Sequence, residues 1–297
     1  MLDFRYPDIT DKDWVQDYLK VSQYMGCEYS FGNIFAWSPV FKTKITRYKD
    51  SLITKSSGTK PAYCCPAGND SFESIIPDLI AHAKECGHPF KMVGITTRCI
   101  EKMESIFPGK FEFEAYREGF DYIYLATDLI NLQGKKYHSK RNHIAAFERE
   151  NEWSFETINE ENLSDCVAMN AAWAEENTGK DPESVSLEQQ AIHRVFDHYF
   201  EIGFSGGLIR VDGKVVAFTM GEELNDETYC VHFEKAYANV RGAYPMINRE
   251  FVKNMLSDYK YINREDDAGV EGLRRAKLSY YPDILLEKYY VRCKGEV

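Results

Sequence analysis

The stretch from Ile262 to Pro282, I-N-R-E-D-D-A-G-V-E-G-L-R-R-A-K-L-S-Y-Y-P, gathers more chemistry-bearing residues than any other part of the chain. Three adjacent carboxylates, Glu265, Asp266 and Asp267, end an apolar run, and Arg274, Lys277 and Tyr281 follow at helical spacing before Pro282 stops the helix. Carboxylates opposite cations suit a polar substrate. If the strand stays extended, Glu265 and Asp267 share one side and could hold an ammonium or take a proton. Asp266, Arg274 and Lys277 would then contact substrate, the two cations an anionic part of it. The same charges could instead satisfy each other by salt bridging. Adjacent residues alternate faces along a strand and cannot all converge on one ion, so no metal site is expected here.

A second cluster lies at 134–149. Lys135, Lys136, Lys140, Arg141 and Arg149 stand against Glu148 alone, a local charge of +4 in a chain of net charge −11. Such a run is either a solvated helix face or a patch that neutralises phosphate oxygens. The overall acidity excludes a general nucleic-acid coat and leaves only local contact with one polyanionic end. His138 and His143 lie five apart, off the i, i+4 spacing of metal-binding helices, and the other histidines, His232 among them, are unclustered in sequence. The eight cysteines form no C-x-x-C pair, and no secretory leader or long apolar run appears. Reduced thiols in a soluble, cytoplasmic protein are expected. No serine or cysteine sits in a nucleophile motif, which points away from a covalent intermediate.

These groups must be positioned by a chain of 297 residues, long enough for two lobes. In the first, residues 1–130, an amphipathic helix at 11–20 and an aromatic-rich core segment at 23–37 precede strands at 44–48, 51–55 and 62–66. A helix over 71–86, capped by Ser71 and closed by Gly87, a strand at 90–95, a helix at 97–106 and strands at 111–115 and 122–126 follow. In the second, residues 131–297, a helix over 135–151 and a strand at 154–158 lead to helices at 160–176 and 187–202. A hairpin on Asp212-Gly213 then joins strands 207–211 and 214–220. Strand 229–235, helix 244–258, strand 259–264, helix 271–281 and strand 284–292 end the chain. This order, a mixed sheet with an antiparallel hairpin and then a strand–helix–strand crossover, is that of the GNAT acyltransferase fold. The first lobe repeats a shorter version. The fold class expected is therefore α+β or α/β, with two GNAT-like lobes, each a mixed central sheet flanked by helices.

Acetyl-CoA-dependent GNATs cradle a pyrophosphate on a glycine-rich loop at a helix start. The matching place reads Asn239-Val-Arg241-Gly242-Ala243-Tyr244-Pro245. Arg241 and Gly242 suit a phosphate, but the second glycine does not fit and Pro245 removes a donor. GNAT chemistry is usually direct transfer, which makes Glu234, at the end of strand 229–235, an alternative base and Tyr281 a candidate acid for the leaving group.

Gly134-Lys-Lys-Tyr-His-Ser-Lys-Arg-Asn-His-Ile-Ala-Ala-Phe, Asn263-Arg-Glu-Asp-Asp-Ala-Gly, Leu273-Arg-x-x-Lys and Tyr281-Pro together resemble motifs of the soluble synthase domain of phosphatidylglycerol lysyltransferases. That tandem-GNAT family is more distantly related to the Fem peptidyltransferases, and here its membrane domain does not accompany the motifs. The resemblance implies transfer of an aminoacyl or acyl group to an amine or hydroxyl, with an aminoacyl-tRNA-like donor at the basic segment and a small molecule or lipid headgroup as acceptor. A CoA-dependent N-acetyltransferase is the runner-up, and a non-catalytic binding protein on a GNAT fold is the reading from another class.

Overall fold

The computed structural model describes residues 2–295 apart from 178, 180 and 181. Helices α1 (Lys12–Ser22) and α2 (Phe31–Phe41) lead into strands β1 (Thr43–Tyr48), β2 (Ser51–Ser56), β3 (Ala62–Tyr63) and β4 (Ala67–Gly68). Then come α3 (Phe72–Glu85), β5 (Lys91–Thr96), α4 (Thr97–Ile106), β6 (Phe111–Ala115), β7 (Asp121–Leu125) and α5 (Ala126–Asn131). The chain continues through α6 (His138–Glu150), β8 (Trp153–Thr157), α7 (Leu163–Asn177), α8 (Pro182–Asp197) and the single turn α9 (Tyr199–Ile202). Strands β9 (Ser205–Val211), β10 (Lys214–Asn225) and β11 (Thr228–Ala236), helix α10 (Ala243–Met255), β12 (Tyr261–Asn263), α11 (Glu271–Leu278), β13 (Ile284–Leu286) and β14 (Lys288–Cys293) complete it.

Local rules account for many of these bounds. Ser71 accepts from the Ser74 amide at the start of α3, and Asp212 and Gly213 both take positive φ, as the tight hairpin turn requires. Helix α2, which alternation within 23–37 does not announce, is capped by Ser30 accepting from the Asn33 amide. It is apolar nearly all round and so buried on several sides. The C-terminal helix is shorter than 271–281: it ends at Leu278, and Tyr281 turns back with φ +53°.

Two mixed sheets result, one ordered β1-β2-β3-β5-β14-β6 with β4 on β2, the other β13-β7-β12-β11-β10-β9-β8. Each sheet takes a strand from the far side of residue 130. β7 inserts between β12 and β13, and β14 inserts between β5 and β6. The run 284–292, expected as one strand, is thus two strands in two sheets, parted at Glu287. The expected lobe division at 130 is crossed twice by the chain.

The packing is equally shared. One core carries Ile53, Ile75, Leu79 and Ile95 of the first sheet's layers, Phe31 and Phe35 of α2, and Ile192, Val195, Phe218 and Phe233 on one face of the second sheet. A separate core under α5, α6 and α10 covers that sheet's other face with Tyr124, Ile144, Phe147, Ile247 and Phe251. Among the described residues no helix is long and apolar enough to cross a membrane.

Candidate functional site

The second sheet opens at its centre. β11 and β12 run parallel only from Thr228↔Tyr261 to Cys230↔Asn263, after which β12 ends and β11 continues to Ala236. Glu234 on β11 and Arg264 just beyond β12 face each other across this splay, 2.7 Å apart, with side chains only 11% and 13% exposed. Asn248 of α10 donates to the other Glu234 oxygen at 3.4 Å. The Arg264 Nη1 is buried with no hydrogen-bond partner among the described residues.

Lys140 of α6 joins this place from the side. Its ammonium lies 3.9 Å from the Tyr280 ring centroid, and the Arg264 guanidinium lies 5.0 Å from the same ring. Burial, reinforced by Arg264, brings the Lys140 ammonium down to about 8. Two cations thus share one carboxylate and an aromatic wall, an arrangement that attracts an anion.

The rest of the basic segment is largely occupied. Arg141 caps α5 by donating from Nη1 to the Leu132 and Gly134 carbonyls. Lys136 pairs with Asp128 at 3.5 Å and lies over the rings of Tyr137 and Tyr281; Lys135 is exposed. Arg241 is exposed and 3.7 Å from Glu150. Gly242 has φ +85°, and a Cβ there would lie 2.4 Å from the His143 carbonyl oxygen. Glycine is needed at this position because α6 crosses the start of α10, where a CoA-binding loop would otherwise present its amides. Tyr281 is 47% exposed and meets Tyr137 edge-on.

The acidic triplet is not extended: Glu265 (φ +57°), Ala268 (φ +47°) and Gly269 (φ +75°) coil it. Glu265 and Asp267 consequently point to different partners, against the expectation that they share a side. Asp267, fully buried, accepts from Tyr122 Oη at 2.6 Å, Arg117 Nη1 at 3.1 Å, Arg274 Nε and Nη2 at 2.8 and 2.9 Å, and the Gly269 amide at 3.0 Å. Burial would raise this carboxyl, but the Arg274 and Tyr122 hydrogen bonds hold it well below the usual carboxylate range. Both its oxygens are taken, and through Arg274 it anchors α11. Lys277 donates to the backbone carbonyls of Arg264 and Asp266 and is likewise spent on the loop. Asp266 accepts from the Ala268 amide, and burial lifts its carboxyl to about 6.

Glu265 enters a buried network that sequence spacing did not suggest. His232 is the extra residue of a β-bulge, since Met220 pairs with Phe233 and Gly221 with Val231. A bulge re-aims the side chain it carries. The imidazole lies between two carboxylates, Nδ1 2.7 Å from Glu265 Oε1 and Nε2 3.1 Å from Glu222 Oε1. Burial works against its charged form, yet Cys230, Glu222 and Glu265 hold it well above the ordinary histidine value. Ser30 and Asn33 reach in from α2, at 3.3 Å from His232 Nε2 and 3.4 Å from Glu265 Oε1. The absent Cβ at Gly32 makes room, since it would fall 2.4 Å from Glu222 Oε1. Alongside, Lys288 of β14 is clamped at 2.7 Å by both Asp121 of β7 and Glu28, and Asn263 ties Asp121 to the Glu265 amide. His232, Glu222, Asp121 and Lys288 escaped sequence reasoning because strands far apart in the chain bring them together.

A family profile described as "Phosphatidylglycerol lysyltransferase, C-terminal" matches residues 20–292. A crystal structure of a conserved protein of unknown function from Bacteroides thetaiotaomicron superposes with a TM-score of 0.94 at 36% identity, covering 99% of this chain and 100% of that one. L-PGS from Bacillus licheniformis superposes with a TM-score of 0.69 at 15% identity, covering 99% and 94%, which bears on fold alone. An uncharacterised protein of Mycoplasmoides gallisepticum is 24% identical over 190 residues, 62% of this chain and 59% of that protein's length. The chain thus spans about three-fifths of the curated relative it matches.

Proposed function

Because the chain belongs to the phosphatidylglycerol lysyltransferase C-terminal family, we propose that it transfers an aminoacyl group from an aminoacyl-tRNA-like donor to an amine or hydroxyl acceptor, a lipid headgroup or small molecule. The observation that carries this reading is the splay between β11 and β12, where Lys140 and Arg264 outnumber Glu234 and the Arg264 Nη1 lacks a hydrogen-bond partner among the described residues. An anionic donor end bound there competes with Glu234 for Arg264. The carboxylate it releases is the base.

In the step itself, the acceptor nitrogen or oxygen attacks the donor ester carbonyl. A new amide or ester bond forms, the bond to the donor ribose oxygen breaks, and the proton passes from acceptor to Glu234 and on to the leaving hydroxyl. Beyond Cys230 the β11 edge faces no strand on the β12 side, which leaves backbone groups available to the developing oxyanion. The contact between α6 and Gly242, with Pro245 in the first turn of α10, favours this donor over coenzyme A.

The test is thermal stabilisation by lysyl-tRNA and, separately, by acetyl-CoA, each with wild type and with Arg264→Met. A shift with charged tRNA that Arg264→Met abolishes supports the reading. A shift with acetyl-CoA alone selects an N-acetyltransferase, and a shift with neither, without transfer, selects a binding module.

A further inference from the structure

We propose that Cys230, His232 and Glu265 form a binding site for a zinc-class divalent ion, with Glu222 as the carboxylate that orients its histidine. The inference is independent of the donor assigned above. Cys230 Sγ, His232 Nδ1 and Glu265 Oε1 all lie within 4.8 Å of one another. A thiolate, an imidazole and one carboxylate are the mixed donor set that zinc takes.

The distances fit. Sγ to Nδ1 is 3.7 Å, and Zn–S and Zn–N bonds of about 2.3 and 2.05 Å at a tetrahedral angle separate the two ligand atoms by about 3.6 Å. Nδ1 to Glu265 Oε1 is 2.7 Å, while the corresponding tetrahedral edge is about 3.3 Å, so the carboxylate retreats by about 0.6 Å as the ion replaces the Nδ1 proton. Glu265 belongs to an irregular loop and is still 21% exposed, so it has room to do so.

The outer shell is in place before any ion arrives. His232 Nε2 faces Glu222 Oε1 at 3.1 Å, which keeps an N–H on Nε2 and leaves Nδ1 as the nitrogen whose proton a metal would displace. Glu222 is 4% exposed, and its second oxygen is buried with no hydrogen-bond partner among the described residues. The bulge that delivers His232 depends on Gly221, whose Cβ would stand 1.9 Å from the Cys230 carbonyl oxygen. Glu265 keeps φ +57°, a conformation that costs a non-glycine residue energy and recurs at functional sites.

The neighbouring trio Cys27, Glu28 and Asp121 offers a thiol and two carboxylates but already holds a side-chain cation. The Lys288 ammonium already lies 2.7 Å from both carboxylates and 3.5 Å from the thiol. Among the described residues no lysine or arginine forms a salt bridge with Glu265: the nearby Lys277 ammonium donates instead to the Arg264 and Asp266 carbonyls.

The experiment loads the purified chain with zinc chloride, desalts it and measures metal by mass spectrometry. Wild type, Cys230→Ser, Glu265→Gln and the exposed-thiol control Cys86→Ser are compared, with cobalt(II) spectra of wild type and control alongside. About one zinc per chain is expected in wild type and Cys86→Ser, and a loss in the other two, with a thiolate-to-cobalt charge-transfer band in the near ultraviolet. Wild type that retains no zinc overturns the proposal. So does zinc retained equally by Cys230→Ser and Glu265→Gln, which would place the ion elsewhere. Should either variant fail to fold, the wild-type cobalt spectrum decides: a tetrahedral band without thiolate charge transfer also overturns it.

Discussion

Replacing Asp267 by asparagine is expected to lower stability more than it lowers chemistry. The carboxylate is fully buried and receives two donors from Arg274 and one each from Arg117, Tyr122 and Gly269. Breaking a buried pair by removing one partner costs about 3–5 kcal/mol. Here the two guanidinium side chains are 34% and 29% exposed and recover water once released, and the asparagine oxygen keeps one or two acceptor contacts, which brings the expectation to about 2–3 kcal/mol. At roughly 2 °C per kcal/mol for a chain of this size, Tm falls by about 4–6 °C. The pH dependence follows from the direction of the shift. A carboxyl whose folded pKa is depressed contributes stability that is fully present above its unfolded value and is lost as pH falls toward the folded one. The gap between wild type and Asp267→Asn should therefore be constant near neutrality and narrow steadily below about pH 4. Thermal denaturation followed by circular dichroism across pH 3–8 measures it. An unchanged Tm accompanied by lost transfer would refute the anchoring account and put the carboxylate in the reaction.

Lys288→Met should destabilise by about 3–5 kcal/mol, since it strands Asp121, and the Asp121→Asn/Lys288→Met double variant should be less destabilised than the single in urea titrations. Gly242→Ala, forced to hold positive φ against the His143 carbonyl, should cost about 2–4 kcal/mol and displace α6. Donor affinity should also fall as Lys140 moves, whereas stability and affinity unchanged by this methyl would mean that α6 does not hold the site. With Lys140 brought down to about 8, its ammonium is lost as pH rises through that value. Anionic-donor affinity in calorimetric titrations should weaken over the same range, and Lys140→Arg should remove the dependence. An equal dependence in Lys140→Arg would assign it to another group.

Much of the fold follows local rules that a single sequence carries. The Asp212-Gly213 hairpin, the Ser71 cap and the helices over α3, α4 and α10 each depend on residues close in the chain. The exchange of β7 and β14 does not, because its pairings join residues more than a hundred positions apart. The candidate site divides the same way. Lys140 and Glu234 stood out by charge and position, and both lie at the splay. Arg264 carries no distinguishing signal beside the acidic triplet that follows it. Strand alternation does not align Glu265 with Asp267, because positive φ at Glu265 abolishes the two-residue period on which it rests. Spacing between histidines cannot reveal His232, whose partners are carboxylates delivered by a bulge.

The placement of β14 between β5 and β6 has a consequence for how the protein is made. Residues 288–293 leave the ribosome last among the described strands, so the first sheet stays split, with β5 and β6 presenting open edges, while about 170 residues after β6 are still being added. Unpaired edges of this kind template association with other chains. A nascent chain stalled after β13 should therefore be a client for chaperones, and a chain terminated there should yield aggregate rather than a folded protein.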